Sequence, residues 1–146
     1  MPVIKADAYG HGALTFANLL KNEAACFAVA TVPEAMELRK NGIDSSILIL
    51  GHTFPEEHEA AVGNEIILTV TSFEDAVSIS ETAKKLDKTA LIHIKIDTGM
   101  SRIGFIPDRA GLEVIKKIEK LEKHIKELEE FYHEKASCFS SGPGYG

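Results

Sequence analysis

Leu91-Ile92-His93-Ile94-Lys95-Ile96-Asp97-Thr98-Gly99-Met100-Ser101-Arg102-Ile103-Gly104 is the stretch on which the fold class turns. Side chains alternate across a strand, so Ile92, Ile94 and Ile96 share one face and His93, Lys95 and Asp97 the other. Polar groups on the inward face of a buried parallel strand need mutual pairing or a ligand. Arg102 falls just past the expected strand end, where α/β folds place their sites. A structural ion pair, Asp97–Lys95 or Asp97–Arg102, accounts for the same residues, and both readings stay open.

Working outward, short apolar runs alternate with amphipathic ones. The candidate strands are Val3–Ala6, Phe27–Ala30, Ile47–Leu50, Ile66–Leu68 and Leu91–Asp97. Several are apolar throughout, as parallel strands buried on both faces are. Helices are expected from about Ala13 to Glu23, from Pro33 to Asn41 after a Thr31 cap, and from Pro55 to Val62 after Thr53. A further helix is expected from Phe73 to Leu86 with Ser72 as N-cap, and the last begins near Asp108. Strands regularly separated by helices argue for a parallel sheet with right-handed crossovers. Periodicity alone does not choose between an open doubly wound sheet and a barrel. No G-x-G-x-x-G follows the first strand, which counts against a dinucleotide-binding fold.

The chain has 146 residues, 45% hydrophobic and 26% charged, with a formal net charge of -6. That composition suits a globular domain and excludes disorder as the main state. An acidic chain with dispersed basic residues has no phosphate-backbone footprint, so nucleic acid is not an expected partner. Cys26 lies in an apolar run and reads as a small buried hydrophobe, and Cys138 is far from it. This is neither a disulfide framework nor a zinc spacing, so a cytoplasmic setting is expected. No apolar run reaches the length of a membrane span, and no basic-then-apolar leader pattern opens the chain. It begins on Pro2-Val3-Ile4-Lys5-Ala6, a strand already under way, so upstream sequence is expected. His11 reads as a loop hydrogen-bonder, and His52 and His58 as loop or surface residues.

Toward the other end, Ile118, Leu121, Ile125 and Leu128 recur at helical spacing, which predicts a solvated amphipathic helix within Ile115–Lys135. Residues 137–146 carry many turn formers and no period, and are expected to be disordered.

Lys5-Ala6-Asp7-Ala8-Tyr9-Gly10-His11-Gly12 is the second cluster with chemistry in it. Burial disfavours a charged lysine, and a neutral amine is what Schiff-base chemistry needs. Tyr9 could bond a phosphate from the following loop, and Gly10 and Gly12 allow close backbone approach. A surface lysine at a strand edge followed by a glycine-rich turn fits the same residues. This segment resembles the pyridoxal-phosphate attachment motif of alanine racemases. Asp97-Thr98-Gly99-Met100-Ser101-Arg102-Ile103-Gly104 resembles that family's second signature, and the two occur in the family's order, separated by βα units.

The resemblance implies a partial (β/α)₈ TIM-type barrel with parallel strands, incomplete at both ends, over residues 1–136, with residues 137–146 a non-matching tail. It implies that Lys5 attaches pyridoxal 5′-phosphate and is the base on the D-alanine face. It gives Tyr9 to the cofactor phosphate and Arg102 to the phenolic oxygen of the ring. Lys95 matches a lysine often carbamylated in the family, and the resulting anion could hold Arg102; a simple ion pair for Lys95 stays open. The implied activity is interconversion of L-alanine and D-alanine for peptidoglycan. The implied partners are a small amino acid and a second subunit, whose tyrosine serves the opposite face of the substrate.

Leu128-Glu129-Glu130-Phe131-Tyr132 starts along a strand of the family, and Glu127–Tyr132 is a candidate strand under the helical pattern. From His133 the match is lost, as expected for a truncated, frameshifted or foreign tail. A non-catalytic cofactor-binding or scaffold fragment, and a racemase of serine or another small amino acid, are the alternatives.

Overall fold

The computed structural model describes residues 1–121 and 124–127. The element order is α1 (Lys5–Gly10), α2 (Ala13–Leu20), β1 (Cys26–Val29), α3 (Val32–Lys40), β2 (Ser46–Ile49), α4 (Pro55–Gly63), β3 (Leu68–Val70), α5 (Phe73–Lys85), β4 (Ala90–Ile94), α6 (Arg109–Glu119) and β5 (Ile125–Glu127). Every strand pairing is parallel. β1 runs beside β2 with Phe27 opposite Ile47, β3 beside β4 with Thr69 opposite His93, and β4 beside β5 with Ala90 opposite Ile125. Single bridges join the rest: Val3 to Ala28 at one edge, and Leu48 to Ile67 between β2 and β3.

Neighbours in space are therefore neighbours in sequence from Val3 to β5. A doubly wound sheet would reverse direction after its first strands and carry helices on both faces. Here one core joins the helices to one sheet face, through Phe27, Val29, Ile47, Ile49, Leu68 and Ile92. Ala17, Ala35, Ala61, Ala76 and Ala83 are fully buried on the helix side. Their short side chains let the helix backbones approach the sheet closely, so the branched strand residues fill the layer between. The alternate strand residues Cys26, Leu48 and Ile67, with Leu50 and Leu91 against them, form a separate cluster on the opposite face. A singly wound parallel sheet with helices on one side and its own side chains on the other is part of a (β/α)₈ barrel.

The two expected caps, Thr31 and Ser72, are present, and Asp108, at the expected start of the last helix, is a third; α4, which follows Thr53, has no side-chain cap. Thr31 Oγ1 accepts the Glu34 N–H at 3.5 Å, Ser72 Oγ accepts the Asp75 N–H at 3.1 Å, and Asp108 Oδ1 accepts the Gly111 N–H at 2.8 Å. Several expectations need correction. The strand expected at Leu91–Asp97 spans Ala90–Ile94, with Ile96 joined to Phe105 by a single bridge, and the helix expected to reach Glu23 ends at Leu20. The first strand stops at Ile4 instead of running to Ala6, because the backbone turns into a left-handed helical segment. The third strand lies at Leu68–Val70, later than Ile66–Leu68. Thr69 belongs to it because its Oγ1 donates to Ile49 O at 2.6 Å, which makes a hydroxyl acceptable on a buried face.

The helical spacing of Ile118, Leu121 and Ile125 does not mark one helix. α6 ends at Glu119, and Ile125, 4% exposed, opens a parallel strand against Ala90. Pairing with β4 outweighs the local period. His58 is not a surface residue; it is 1% exposed, held between α4 and α5. The expectations for residues 128–146, including the Leu128–Tyr132 segment, Cys138 and the disordered tail, lie outside the described residues.

Candidate active site

Parallel strands put all their C-terminal ends on one rim. Lys5 follows Ile4 at the end of the first strand segment, and Lys95 follows Ile94 at the end of β4. Two loops rise from this rim.

The first loop is α1. Ala6, Asp7, Ala8 and Tyr9 have φ of 49°, 52°, 52° and 56°, a left-handed helical turn built from non-glycine residues. Each costs about 1–2 kcal/mol relative to the right-handed form, so the turn persists only if its surroundings over-determine it. They do. Ala8 N–H donates to Ile4 O at 3.0 Å and Gly12 N–H to Asp7 O at 2.9 Å. Asp7 Oδ1 accepts the Ala13 N–H at 2.7 Å, tying the turn to the start of α2. Glu34 Oε1 accepts the Ala6 N–H at 2.9 Å, tying it to α3. His11 Nδ1 lies 3.0 Å from Ala8 O, the loop role expected of it. Lys5 is half-buried at the base of this turn, and Tyr9 is 62% exposed on it.

The second loop runs from Asp97 to Gly104. Asp97 Oδ1 accepts the N–H groups of Gly99 and Ser101 at 2.9 and 3.0 Å. Those bonds hold the Asp97 carboxyl below its usual range. The loop folds back on the strand. Phe105 N–H donates to Lys95 O at 2.8 Å and Asp97 N–H to Phe105 O at 2.9 Å, forming the Ile96–Phe105 bridge. Among the described residues no ion pair joins Asp97 to Lys95 or Arg102. Asp97 serves the loop backbone instead.

Lys95 and Arg102 line one small cavity of about 130 Å³ with Ile96, Asp97, Thr98, Met100 and Ile103. A larger, open cleft of about 810 Å³ lies along Asp97–Pro107 and includes Arg102. Neither includes Lys5 or Tyr9, so the two loops share a rim without sharing a described cavity. His93, on the same face as Lys95, is held below its ordinary value, first by burial and then by the Lys95 charge. Among the described residues there is no cluster of metal-ligand type. No helix of the described residues is long and apolar enough to cross a membrane.

Glu34 is the residue that the sequence reading missed. Thr31-Val32-Pro33-Glu34 has the spacing of a capping box, which signals the helix start. Nothing in that spacing reveals that Glu34 also reaches Ala6, 28 positions earlier.

The sheet order and the polar rim define the class: a β/α-barrel domain of the kind that carries its chemistry at the C-terminal ends of its strands. The chain belongs to the alanine racemase family: the family model for the alanine racemase N-terminal domain matches residues 1–136. Alanine racemase of Methanococcus maripaludis is 47% identical over 146 residues, covering 99% of this chain and 39% of that protein. The structure of alanine racemase from Clostridium difficile 630 superposes with a TM-score of 0.83 at 48% identity, covering 86% of this chain and 33% of that one. Histidine racemase from Leuconostoc mesenteroides superposes with a TM-score of 0.78 at 29% identity, covering 86% and 34%. The chain thus spans between 33% and 39% of the length of these relatives.

Proposed function

We propose that this chain provides the cofactor-attachment part of a pyridoxal 5′-phosphate-dependent alanine racemase, a cytoplasmic homodimer that supplies D-alanine for peptidoglycan. What supports the reading is the base of the left-handed turn, where Lys5 follows the buried Ile4 of a segment bridged to β1, in a chain 47% identical to an alanine racemase. The donor set suits a phosphorylated aromatic aldehyde: a primary amine, a phenol and a guanidinium on one rim. When bound, pyridoxal phosphate supplies the electron sink for the pair released with the substrate α-proton.

Lys5 Nζ would hold the cofactor and move a proton on one face of the substrate carbon. Tyr9 Oη would hold the phosphate. The Arg102 guanidinium would hold the ring oxygen, and Lys95, once its neutral amine has taken up carbon dioxide and lost a proton, would hold Arg102 through opposite charge. The resemblance implies a tyrosine as the base on the other face. Tyr9 is the only tyrosine among the described residues and is assigned here to the phosphate, so that base is to be sought outside them. That observation favours a second reading, in which this chain binds the cofactor without racemising anything by itself. Alanine, serine or another small amino acid is the substrate class. The histidine racemase relative illustrates that this fold accommodates a different side chain.

The test mixes the purified chain with pyridoxal phosphate, fixes the product with borohydride and maps the label by peptide mass, with racemisation followed by chiral chromatography. Label on Lys5 is expected, lost in Lys5→Ala, while Lys5→Arg keeps the wild-type circular dichroism. Label retained by Lys5→Ala overturns the assignment. Label with turnover supports the racemase reading for this chain, and label without turnover the second reading.

A further inference from the structure

Lys5 lies between two pinned backbone amides. On one side, Ile4 N–H donates to Ala28 O at 2.8 Å, fixing the strand to β1. On the other, Ala6 N–H donates to Glu34 Oε1 at 2.9 Å. Ala6 is the first residue of the left-handed turn, and the bonds closing the turn come from Ala8, His11 and Gly12 N–H groups. The Ala6 N–H gets its partner from α3.

Glu34 is bifunctional. Its Oε2 accepts the N–H of Ala30, the residue before the Thr31 cap, at 2.7 Å, which ties the helix start to its own loop. A cap needs nothing more. Asp75 holds the matching position of α5: it accepts the Thr71 N–H at 3.2 Å and the Thr71 hydroxyl at 2.7 Å from its own loop, and it meets the preceding βα loop at the His52 ring, 3.6 Å away, without fastening a backbone amide there. The Ala6 bond is therefore an addition to the cap. It spans two βα units and fastens the peptide that follows Lys5.

We propose that Glu34 is the positioning residue for Lys5: its carboxylate fixes the Lys5–Ala6 peptide and so aims the lysine side chain off the strand end. The inference rests on the cofactor reading of Lys5 given above. Glu34 touches no reacting atom in this role. It acts through the backbone, where small displacements of a reactive group carry large rate effects.

The test compares the wild-type chain with Glu34→Ala and Thr31→Ala. The second variant removes the other cap bond of α3 and leaves the Ala6 bond in place. Borohydride-fixed pyridoxal phosphate is mapped across the lysines, and amide exchange is read at Ala6 and Ala30. Glu34→Ala is expected to lower the initial labelling rate at Lys5 by roughly tenfold or more and to spread label to surface lysines. Thr31→Ala keeps label on Lys5. The Ala6 amide exchanges about tenfold faster in Glu34→Ala and at the wild-type rate in Thr31→Ala.

Labelling of Lys5 in Glu34→Ala at the wild-type rate, or an equal loss in Thr31→Ala, overturns the proposal. Absence of label from wild-type Lys5 refutes the cofactor reading instead. Exchange at Ala6 then decides the clamp alone: faster exchange confined to Glu34→Ala upholds it, and unchanged exchange overturns it.

Discussion

A Cβ at Gly104 would stand 2.8 Å from the Lys95 carbonyl oxygen and 2.9 Å from the Asp97 nitrogen, at a φ of +120°. Both steric room and backbone conformation therefore demand glycine, since other residues rarely adopt that φ. Gly104→Ala pushes the returning loop away from Lys95 and breaks the bond pair around Phe105. A loss of about 1–3 kcal/mol in unfolding free energy is expected from strain of this kind. Urea unfolding of the variant reads it directly, and a midpoint equal to wild type would refute the close-approach argument. At this scale much was legible. The Asp97–Gly104 segment announced a loop after a strand, and Thr31 and Ser72 announced caps because capping is local chemistry. The left-handed turn was not legible. Ala6, Ala8 and Tyr9 have no local preference for positive φ, and bonds within the turn act together with those from α2 and α3 to hold them there.

Among the elements, α4 and α5 are joined through a buried histidine. His58 Nε2 faces Thr53 O at 3.2 Å and its Nδ1 faces Ser78 Oγ at 3.2 Å. A neutral ring with its proton on Nε2 satisfies both: Nε2–H donates to the carbonyl and the serine hydroxyl donates to Nδ1. Burial pushes His58 below its ordinary value of 6.5, against smaller upward pulls from the Thr53 bond and Asp75. The unfolded chain therefore takes up the proton first as pH falls. The stability tied to the neutral ring is complete above about pH 6.5 and declines as pH drops through that value toward the folded pKa.

His93 is shifted the same way and adds to the slope. His58→Gln should be less stable at neutral pH but show a shallower fall of the urea midpoint on acidification. An unchanged slope would show that His58 does not titrate on unfolding. In the sequence, Pro55-Glu56-Glu57-His58-Glu59 reads as a charged surface helix. The helical period places His58 with Ala61 and Val62, yet its acidic neighbours masked that. β5 was hidden for the converse reason: its residues keep a helical spacing, and only the partner strand β4 turns them into a strand.

Across the whole molecule the two ends of the sheet are held by opposite chemistry. At the C-terminal rim, carboxylates accept backbone N–H groups near helix starts: Asp7 from Ala13, Glu34 from Ala6 and Ala30, Asp75 from Thr71, Asp108 from Gly111. At the other end, donors meet the carbonyls left open near helix ends. Arg39 donates to Ile43, Ser45, Asn64 and Glu65 at 2.5, 2.7, 3.1 and 3.3 Å, and Lys88 Nζ to Gly63 at 2.6 Å. Anions near helix N-termini and cations near C-termini are what the helix dipole favours, and parallel βα order gathers each kind at one end. In this architecture the C-terminal rim carries chemistry and the opposite end carries stability.

Arg39→Met separates the two. It keeps the aliphatic stem and removes the guanidinium that bridges the loops before β2 and β3, leaving part-buried carbonyls without their donor. Stability should fall by about 1–3 kcal/mol by urea unfolding. In the folded variant, borohydride-fixed cofactor should remain on Lys5 at the wild-type rate, the opposite of the pattern expected for Glu34→Ala. Redistribution of label in Arg39→Met, under conditions where the variant is folded, would mean that the ends are mechanically coupled and that rim geometry depends on the whole sheet instead of on its own carboxylate bonds.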